Sequence, residues 1–306
     1  MSKKIIVIGG SGFIGNALQQ YVIEHDISEK FAFSYHNHEE SIKNGLGKIY
    51  IDLLNPDCLD QLKNFSTVIY VAGNADHSIA HDYPLVDLNL NTVAFLNFIN
   101  NFNGSLVLLS TQAIYYGLNG EIFESIKHLP TIPYGISKQA VESYASYFLN
   151  SHHLTKLWIF RLMNSYGPGE KSRRIIPRCA KACLLDDKVT INGGGKSYLN
   201  PLPSWFIAKI LSTAAFNMFD LDDGFLEITN LNHKINLTVL ELVQYLHMLK
   251  PFNYSVINDG EEWPVHFWGN TSNLSEHLKK WNFDFPGLHR SIQDYYLSLI
   301  ISEVKE

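Results

Sequence analysis

The chain has 306 residues, of which 46% are hydrophobic and 18% are charged, and its 24 basic and 30 acidic residues give a net charge of −6. These values are typical of a folded protein of about two domains and exclude a largely disordered chain. No long run of one charge occurs, so we expect no binding to nucleic acid or to a membrane surface, and a small molecule is the expected ligand.

Short apolar runs alternate with helical patterns along the first half of the chain. The first run, Ile5–Ile8, is wholly apolar and ends at a glycine, as expected of a strand buried on both faces of a parallel sheet. The alternation predicts an α/β fold with a Rossmann-like, doubly wound parallel sheet. Further strands are predicted at 31–34, 48–51, 68–71, 106–109 and 157–162, and helices at 13–25, 56–64, 84–101 and 134–150.

The pattern changes after Tyr166, which predicts a second, smaller lobe. The strand predicted near 225–230 is expected to return to the first sheet, so the two parts are interleaved. We therefore predict a first domain over residues 1–165 and a C-terminal lobe over 166–224 and 231–306. Within this second half, helices are predicted at 175–185, 204–219 and 237–249, and strands at 188–192 and 225–229.

A glycine-rich loop follows the first strand directly, with glycines at positions 9, 12 and 15. In such a loop the first glycine permits a tight turn, the second lets backbone approach a pyrophosphate, and the third lets the helix pack close to the strand. The N-terminus of the next helix supplies N–H groups and partial positive charge. The first domain is thus predicted to bind a dinucleotide, through Gly9, Gly12, Phe13, Ile14 and Gly15.

The choice between NAD and NADP stays open. An acidic residue about 20 residues past the last glycine would normally accept the ribose hydroxyls of NAD, but the second strand ends in Ser34-Tyr35-His36-Asn37. Ser34 and His36 are candidates for contact with a 2′-phosphate, or they belong to an exposed polar loop. Asp52, after the third strand, is a candidate partner for the adenine amino group or a cap of the strand end.

Tyr134 and Lys138 lie four residues apart at the start of a predicted helix, so both side chains project from one face. A phenol with a pKa near 10 is only about 0.1% ionised at pH 7, and a neighbouring cation is needed for it to act as a base. Lys138 is placed to be that cation. Thr111 ends the strand that precedes this helix, where its hydroxyl is placed to bond a substrate oxygen.

Six segments of the sequence carry a resemblance to a known family. Through these segments the chain resembles the extended short-chain dehydrogenase/reductases over nearly its full length. Within that family it resembles the branch of nucleotide-sugar epimerases, dehydratases and reductases. The segments are the loop 9–15, Asp52, Asp87-Leu88-Asn89, Ser110-Thr111 with Tyr115, Pro133-Tyr134 through Lys138 with Glu142, and the stretch 161–169.

The resemblance implies that the C-terminal lobe binds the substrate, and it implies a role for each matching residue. Tyr134 is expected to be the general acid/base, Lys138 to lower its pKa and hold the nicotinamide ribose, and Thr111 to orient the substrate oxygen. The implied chemistry is hydride transfer between nicotinamide C4 and a sugar carbon. Cofactor contacts are also expected at Leu53, Ala72, Gly73 and Asn89, and substrate contacts at Gln112 and Asn164.

Two positions depart from the family pattern. The sugar dehydratases have an Asp-Glu pair where this chain has Gln112-Ala113, so elimination of water is not expected. Leu199 stands where an arginine is expected to bind the diphosphate, and leucine cannot replace a guanidinium there. Arg174 and Lys196 are candidates for binding the phosphates instead, or they are part of an exposed basic surface.

The predicted function is NAD(P)-dependent reduction or epimerisation of a sugar nucleotide. The alternatives are an NAD(P)-dependent reductase of a non-nucleotide carbonyl compound or sugar, and a non-catalytic NAD(P)-binding protein. The resemblance implies a homodimer formed through the helices at 84–101 and 134–150. No signal or membrane-spanning segment is recognised, so we expect a cytoplasmic protein.

The histidine pairs of the chain are not predicted to bind a metal, and three aromatic residues of the second lobe are not predicted to bind a ligand. The pairs His36/His38 and His152/His153 lack the partners of a metal site, so no metal is predicted. His266, Trp263 and Trp268 are interpreted as core residues of the second lobe rather than as the wall of a sugar pocket.

Overall fold

The structure is a computed structural model that describes residues 4–260 and 264–303. In chain order the strands are β1 (Ile5–Ile8), β2 (Phe31–Tyr35), β3 (Gly47–Tyr50), β4 (Thr67–Tyr70), β5 (Ser105–Thr111), β6 (Asn119–Ile122), β7 (Lys156–Leu162), β8 (Asn164–Tyr166), β9 (Lys188–Ile191), β10 (Tyr198–Leu199), β11 (Pro201–Pro203), β12 (Leu226–Leu231), β13 (Leu237–Thr238), β14 (Asn253–Val256) and β15 (His266–Gly269). The α-helices are α1 (Phe13–Glu24), α2 (His77–Asp82), α3 (Pro84–Leu88), α4 (Ala94–Asn100), α5 (Pro133–Asn150), α6 (Ile175–Leu185), α7 (Ser204–Asn217), α8 (Val239–Leu249), α9 (Ser272–Lys280) and α10 (Leu288–Glu303).

A seven-stranded sheet has the order β3-β2-β1-β4-β5-β7-β12. The pairs from β3 through β7 are parallel. The chain starts in the middle of the sheet, runs outward to β3 and then returns past β1 to β4, which makes the fold doubly wound. The predicted fold class is confirmed. The carboxyl ends of β1 and β4, where the order reverses, form the edge at which such sheets bind ligands.

The described residues form two compact units. The first runs to Gly117 and also includes Lys127–Leu162 and Trp205–Thr229, whereas the second comprises Leu118–Ile126, Met163–Ser204 and the described residues from Asn230 onward. The core of the first unit packs apolar strand residues such as Ile6 and Val68 against Phe95 and Phe98, all of them fully buried. Strand burial on both faces explains why these strands read as continuous apolar runs.

The second unit has a core of its own. Most of its buried members come from α6, α8 and α10, with Cys179, Leu242 and Tyr296 among them. Short two-stranded sheets complete the unit, including the parallel pairs β9–β14 and β6–β15.

The unit boundaries differ from the predicted domains by more than three residues in two places. Residues 118–126 group with the second unit because β6 pairs with β15. Most of α7 groups with the first unit, where the ring of Phe216 meets that of Phe31 edge-on, with 5.6 Å between the ring centroids. The returning strand β12 joins the first sheet as predicted.

Two predicted helices have a different form. Residues 56–64 form two short 3-10 turns rather than an α-helix, with Asn55 capping the first of them. The segment predicted as one helix over 84–101 is divided, because a π-helical turn over Asn89–Val93 separates α3 from α4. Single π turns of this kind occur frequently at functional sites.

Candidate active site

The loop after β1 has a shape that requires glycine at two positions. Gly9 has a φ of +91°, and a Cβ atom built on it would lie 2.8 Å from the backbone nitrogen of Ala72. A Cβ atom on Gly15 would lie 2.3 Å from the carbonyl oxygens of Gly9 and Gly10. The main chain of the loop therefore packs closely against both the end of β4 and the start of α1.

The start of α1 suits an anion. Gly12 precedes the helix with extended backbone, no side chain caps it, and the first turn contains no acidic residue. The positive end of the helix dipole thus faces the loop without a competing carboxylate. Phe13 and Ile14, the first helical residues, place their backbone at this end of the helix. The cradle of glycine backbone and helix terminus fits the pyrophosphate of a dinucleotide.

Ser34 and His36, at the end of β2, have different surroundings. The buried Ser34 hydroxyl accepts a hydrogen bond from the backbone N–H of Gly9 at 3.0 Å, so it supports the loop. The side chain of His36 is 51% exposed, and its Nε2 lies 3.8 Å from Oδ2 of Asp52. This corner of the site therefore contains an imidazole and a carboxylate side by side.

Asp52 and Leu53 connect the end of β3 to its neighbours. Oδ1 of Asp52 accepts a hydrogen bond from the backbone N–H of Leu54 at 2.9 Å, which is the geometry of a strand-end cap. The carbonyl oxygen of Leu53 accepts one from the side-chain amide of Asn97 at 2.9 Å. A cofactor contact for either residue stays a prediction.

Ala72 and Gly73 follow β4, next to the glycine loop. Gly73 has a φ of +132°, and a Cβ atom there would lie 2.3 Å from Oδ1 of Asn91. Asn89 begins the π-helical turn that contains Asn91. The residues predicted to contact the cofactor from β1 and β4 therefore meet at the edge where the strand order reverses.

The end of β5 lies against the start of α5. Oγ1 of Thr111 accepts a hydrogen bond from the backbone N–H of Ala113 at 3.1 Å, in the 3-10 turn that Gln112 opens. A Cβ atom on Gly135 would lie 2.3 Å from the carbonyl oxygen of Ala113. This close approach brings Tyr134, which is 7% exposed, to the end of β5.

Lys138 lies one turn further along α5 and is 5% exposed. Its Nζ donates a hydrogen bond to the carbonyl oxygen of Leu109 in β5 at 3.3 Å. Burial lowers the pKa of Lys138 from near 10.5 to about 8, although the carboxylates of Glu142 and Asp87 act in the opposite direction. The ammonium group is thus held in a buried position beside β5, toward the carboxyl end of the sheet.

Asp87 is a buried carboxylate that joins three elements. It is 1% exposed, and its Oδ1 accepts hydrogen bonds from the side-chain amides of Asn74 and Asn91, each at 2.8 Å. Its Oδ2 accepts one from the hydroxyl of Ser137 in α5 at 2.7 Å. Charge-assisted bonds of this kind are stronger than neutral ones. Asp87 therefore fixes α5 relative to the segment after β4.

His77 is a residue near Tyr134 that we did not predict. The two ring centroids are 5.0 Å apart and the ring planes are inclined by 37°. The sequence offers one signal for the position of His77, which is an aspartate, Asp76, directly before it. Asp76 caps α2 by accepting a hydrogen bond from the backbone N–H of Ser78.

A buried ion pair lies one turn beyond Lys138. Nη2 of Arg161, in β7, is 2.8 Å from Oε2 of Glu142, and both side chains are almost fully buried. Nη1 of Arg161 donates a hydrogen bond to the hydroxyl of Tyr115 at 2.7 Å. The pair links α5 to β7 and to the turn after β5, and so supports the helix that contains Tyr134.

The remaining predicted substrate residues lie in the second unit. Oδ1 of Asn164 accepts a hydrogen bond from the backbone N–H of Asn200 at 2.9 Å. Arg174 is exposed and directly precedes α6, and Lys196 is exposed beside the glycines 193–195. Their contact with a substrate stays a prediction.

Leu199 belongs to the apolar part of the second unit. It pairs with Leu237 in the antiparallel pair β10–β13. Both side chains are partly buried and pack against the core cluster of this unit, as does Leu240. A hydrophobic contact therefore exists at the position where the resemblance led us to expect an arginine.

Two of the aromatic side chains interpreted as core can be located. The ring of Trp268 is partly buried and lies edge-on to that of Tyr198, with 5.1 Å between the centroids. His266 is exposed, so its interpretation as a core residue is wrong. Trp263 lies outside the described residues.

Within residues 4–260 and 264–303, no group of three or more His, Cys, Asp or Glu side chains is arranged to hold a metal ion. None of the helices in that part of the chain combines the length and the apolar composition that crossing a membrane requires.

Comparison with known proteins decides the family. Residues 5–199 match the NAD dependent epimerase/dehydratase family. The chain belongs to this family. The resemblance to nucleotide-sugar epimerases, dehydratases and reductases is thereby confirmed, and the glycine cradle and the Tyr134–Lys138 turn lie within the matched residues.

Its curated relatives in this family include enzymes named for two reactions. The dTDP-D-glucose 4,6-dehydratase of Dictyostelium discoideum is 27% identical over 263 residues, which span 75% of this chain and 60% of that protein. The GDP-6-deoxy-D-mannose reductase of Pseudomonas aeruginosa is 28% identical over 195 residues, which span 59% of this chain and 58% of that protein. The matches thus cover about 60% of the length of these two relatives.

Solved structures of the family share the fold. The UDP-glucose 4-epimerase of Thermus thermophilus, determined in complex with NAD, has a TM-score of 0.79 at 20% sequence identity. The match covers 97% of this chain and 98% of that one. The likeness therefore extends over both units of this protein.

Proposed function

We propose that this protein uses NAD or NADP to reduce or epimerise a sugar nucleotide, with Tyr134 as the acid/base. The observation that supports this most is the burial of the Lys138 ammonium group at the end of β5, one helical turn from Tyr134. A buried cation there favours the phenolate form of the tyrosine. The glycine cradle beside β1 has the shape that a dinucleotide pyrophosphate needs.

The proposed chemistry divides between cofactor and protein. When bound, the nicotinamide supplies or accepts the hydride at C4. Tyr134 donates a proton to the sugar oxygen as the carbonyl is reduced, and accepts one in the reverse direction. The Thr111 hydroxyl, at the end of β5, orients that oxygen, and Lys138 keeps the phenolate accessible near neutral pH.

Reduction or epimerisation is favoured over dehydration by the residues next to Thr111. The dehydratases of this family have an Asp-Glu pair there, whereas this chain has Gln112 and Ala113. Removal of a C5 proton and loss of a C6 hydroxyl need an acid and a base at that position. Neither an amide nor a methyl group provides them.

A second candidate is the reduction of a carbonyl compound or sugar without a nucleotide. It is favoured by Leu199, whose side chain packs against the apolar core of the second unit. A guanidinium binds a diphosphate in bidentate fashion, and a leucine packed in a core cannot. Arg174 and Lys196, both exposed, are the proposed substitutes if the substrate does contain a diphosphate.

The experiment that tests these proposals measures binding before turnover. Thermal shifts are recorded with NAD, NADP and the common UDP-, GDP-, CDP- and dTDP-sugars, because a ligand that binds the folded state raises the melting temperature. A shift with a nucleotide sugar supports the first candidate, and a shift with cofactor alone supports the second. Keto sugars of the class that binds are then tested for oxidation of reduced cofactor, since a reductase consumes it stoichiometrically and an epimerase does not.

Tyr134→Phe is the decisive variant for the enzyme assignment. We expect it to lose turnover at least about 100-fold, the usual contribution of a general acid/base, and to keep cofactor binding. Tyr254→Phe, in β14 of the second unit, is the matched control. Equal turnover of Tyr134→Phe and the parent protein would contradict the assignment.

We also propose that two copies of the chain associate through the outer faces of α3 and α5. The large apolar side chains exposed there include Leu85, which is 68% exposed, and Tyr147, which is 62% exposed. A concentration of exposed apolar side chains on neighbouring elements is typical of a protein interface. Those exposed on the segment 83–90 and on α5 are Tyr83, Leu85, Val86, Leu88, Leu90, Ile136, Tyr144 and Tyr147.

A further inference from the structure

The ring of His77 packs against Tyr134 within the first unit. Its centroid is 5.0 Å from that of the phenol ring, and it also meets Tyr116 edge-on, at 5.8 Å and 81°. An imidazole titrates near pH 6.5, so this contact places a group that gains charge near neutral pH beside the proposed acid/base. Neither the glycine cradle nor the Tyr134–Lys138 turn requires a histidine at this position.

A chain of hydrogen bonds fixes His77 in this place. It is the first residue of α2, and Asp76 caps that helix. The side chain of Asn74 accepts a hydrogen bond from the backbone N–H of Asp76 at 3.0 Å. Its amide nitrogen donates a hydrogen bond to Oδ1 of Asp87 at 2.8 Å. Because Asp87 also accepts a hydrogen bond from Ser137 of α5, one buried carboxylate connects the segment before His77 to the helix that holds Tyr134.

The charged groups around this pair are of both signs. On α2 and its cap they are Asp76, His81 and Asp82, with His81 and Asp82 paired at 3.0 Å. Helices α3 and α5 pack against α2. Asp87 lies on α3, and Lys138 and Glu142 lie on α5 together with Tyr134. The carboxylate of Asp87 accepts hydrogen bonds from Asn74, Asn91 and Ser137.

We propose that His77 is a positioning residue for Tyr134, whose ring supports the phenol ring and whose positive charge, when present, stabilises the phenolate. This role rests on the proposed function of Tyr134. An opposite charge within about 4–6 Å favours the ionised form of an acid. His77 and Lys138 then both stabilise the phenolate of Tyr134. The charge of His77 depends on pH near neutrality, whereas Lys138 acts from the next turn of α5.

The coupling has a definite signature. Two interacting groups that titrate in the same pH range lose their protons in two steps. The apparent pKa of each step is a property of the pair and not of one residue. The phenolate raises the proton affinity of His77 by the amount that the imidazolium lowers that of Tyr134, because linkage is reciprocal. We expect a shift of about one pH unit, the low end for a neighbouring opposite charge.

The experiment follows Tyr134 directly and needs no substrate. Protein labelled with ¹³C at tyrosine Cζ is saturated with NAD and titrated by NMR from pH 5 to pH 10, and the Tyr134 signal is assigned by its loss in Tyr134→Phe. In the parent protein the signal is expected to move in two steps. In His77→Phe, which keeps an aromatic ring but no charge, we expect one step with its midpoint about one pH unit higher.

His81→Phe is the matched control, because His81 lies one turn further along the same helix and pairs with Asp82. It should keep both steps. A Tyr134 signal that titrates identically in His77→Phe and the parent protein would overturn the proposal. Should His77→Phe not fold, the reciprocal measurement decides: the imidazole signal of His77 must titrate at a lower pH in Tyr134→Phe than in the parent protein, and an unchanged midpoint also overturns it.

Failure of this proposal can be told apart from failure of the proposed function. Coupling is read from the NMR titration, whereas the function of Tyr134 is read from the turnover of Tyr134→Phe. A normal loss of turnover in Tyr134→Phe, with no coupling to His77, would leave the enzyme assignment intact and remove only the role of His77.

Discussion

Gly135 and Ala113 approach so closely that a Cβ atom on the glycine would lie 2.3 Å from the carbonyl oxygen of the alanine. The start of α5, and with it Tyr134, lies against the turn after β5 for this reason. Any side chain at position 135 must push the helix away from the turn that follows Thr111.

We therefore expect Gly135→Ala to lower the free energy of unfolding by about 1–3 kcal/mol, the usual effect of overpacking, and to lower turnover because Tyr134 moves away from Thr111. Urea denaturation checks the first effect. Gly287→Ala is the control, since its Cβ atom would meet nothing closer than Cβ of Arg290 at 3.9 Å. If Gly135→Ala and the control unfold at the same urea concentration, the contact does not determine the position of the helix.

Lys138 is predicted to reduce stability while serving catalysis. Since burial lowers its pKa from near 10.5 to about 8, the folded state disfavours the ammonium form. The resulting penalty is absent above pH 10.5, grows as the pH falls toward 8, and is complete below 8. Lys138→Met should therefore be more stable than the parent protein at pH 7, by about 1–3 kcal/mol, and should lose turnover.

Denaturant titrations of Lys138→Met and the parent protein, at pH 7 and at pH 10, test this. The difference in free energy of unfolding should shrink at the higher pH, where the lysine loses its charge. A variant that is less stable than the parent protein by the same amount at both pH values would show that the ammonium group stabilises the fold.

The buried carboxyl group of Glu170, in the second unit, is expected to make the stability of the protein depend on pH. Burial raises its pKa from near 4.5 to about 7, against the hydrogen bond from Tyr295 and the charge of Arg174, which lower it. Because the folded state favours the protonated acid, this contribution to stability is complete below about pH 4.5 and is lost as the pH rises through 7. It amounts to at most about 3 kcal/mol.

Glu170→Gln should remove this part of the dependence and be more stable than the parent protein above pH 7. Melting temperatures measured from pH 5 to pH 8 check the sign. Glu276→Gln, on the exposed side of α9, is the control and should follow the parent protein. The role of Glu170 would be contradicted if the melting temperatures of the parent protein and of Glu170→Gln changed by the same amount between pH 5 and pH 8.

The proposed dimer predicts a change of mass. A variant with both Leu85→Glu and Tyr147→Glu places two charges on the apolar faces of α3 and α5 and should sediment as a monomer. Met248→Glu, at a position that is 74% exposed on α8, is the control and should leave the dimer intact. Sedimentation velocity of all three proteins measures whether each is a dimer or a monomer. A parent protein that sediments as a monomer would rule out the interface.

Several elements of both units were predictable from local sequence. A strand buried on both faces must be apolar throughout, so Ile5–Ile8 was found at its true bounds, and α6 was predicted over the residues that it occupies. The residues 56–64 were less clear, because an exposed polar segment with few buried side chains does not distinguish an α-helix from 3-10 turns. The π-helical turn at Asn89–Val93 was not predictable, since the buried Asn91 in it bonds to Asp87 and to Ser137, a residue of another helix.

By itself the sequence determined the glycine loop and the pairing of Tyr134 with Lys138, because both depend on residues within one or two turns of each other. The tertiary structure alone decided that Lys138 is buried against the end of β5, that Asp87 joins α5 to the segment after β4, and that His77 lies on the ring of Tyr134. These contacts join residues from separate elements. Neither periodicity nor spacing along the chain specifies such contacts, because they form only when the packed sheet brings its carboxyl ends together.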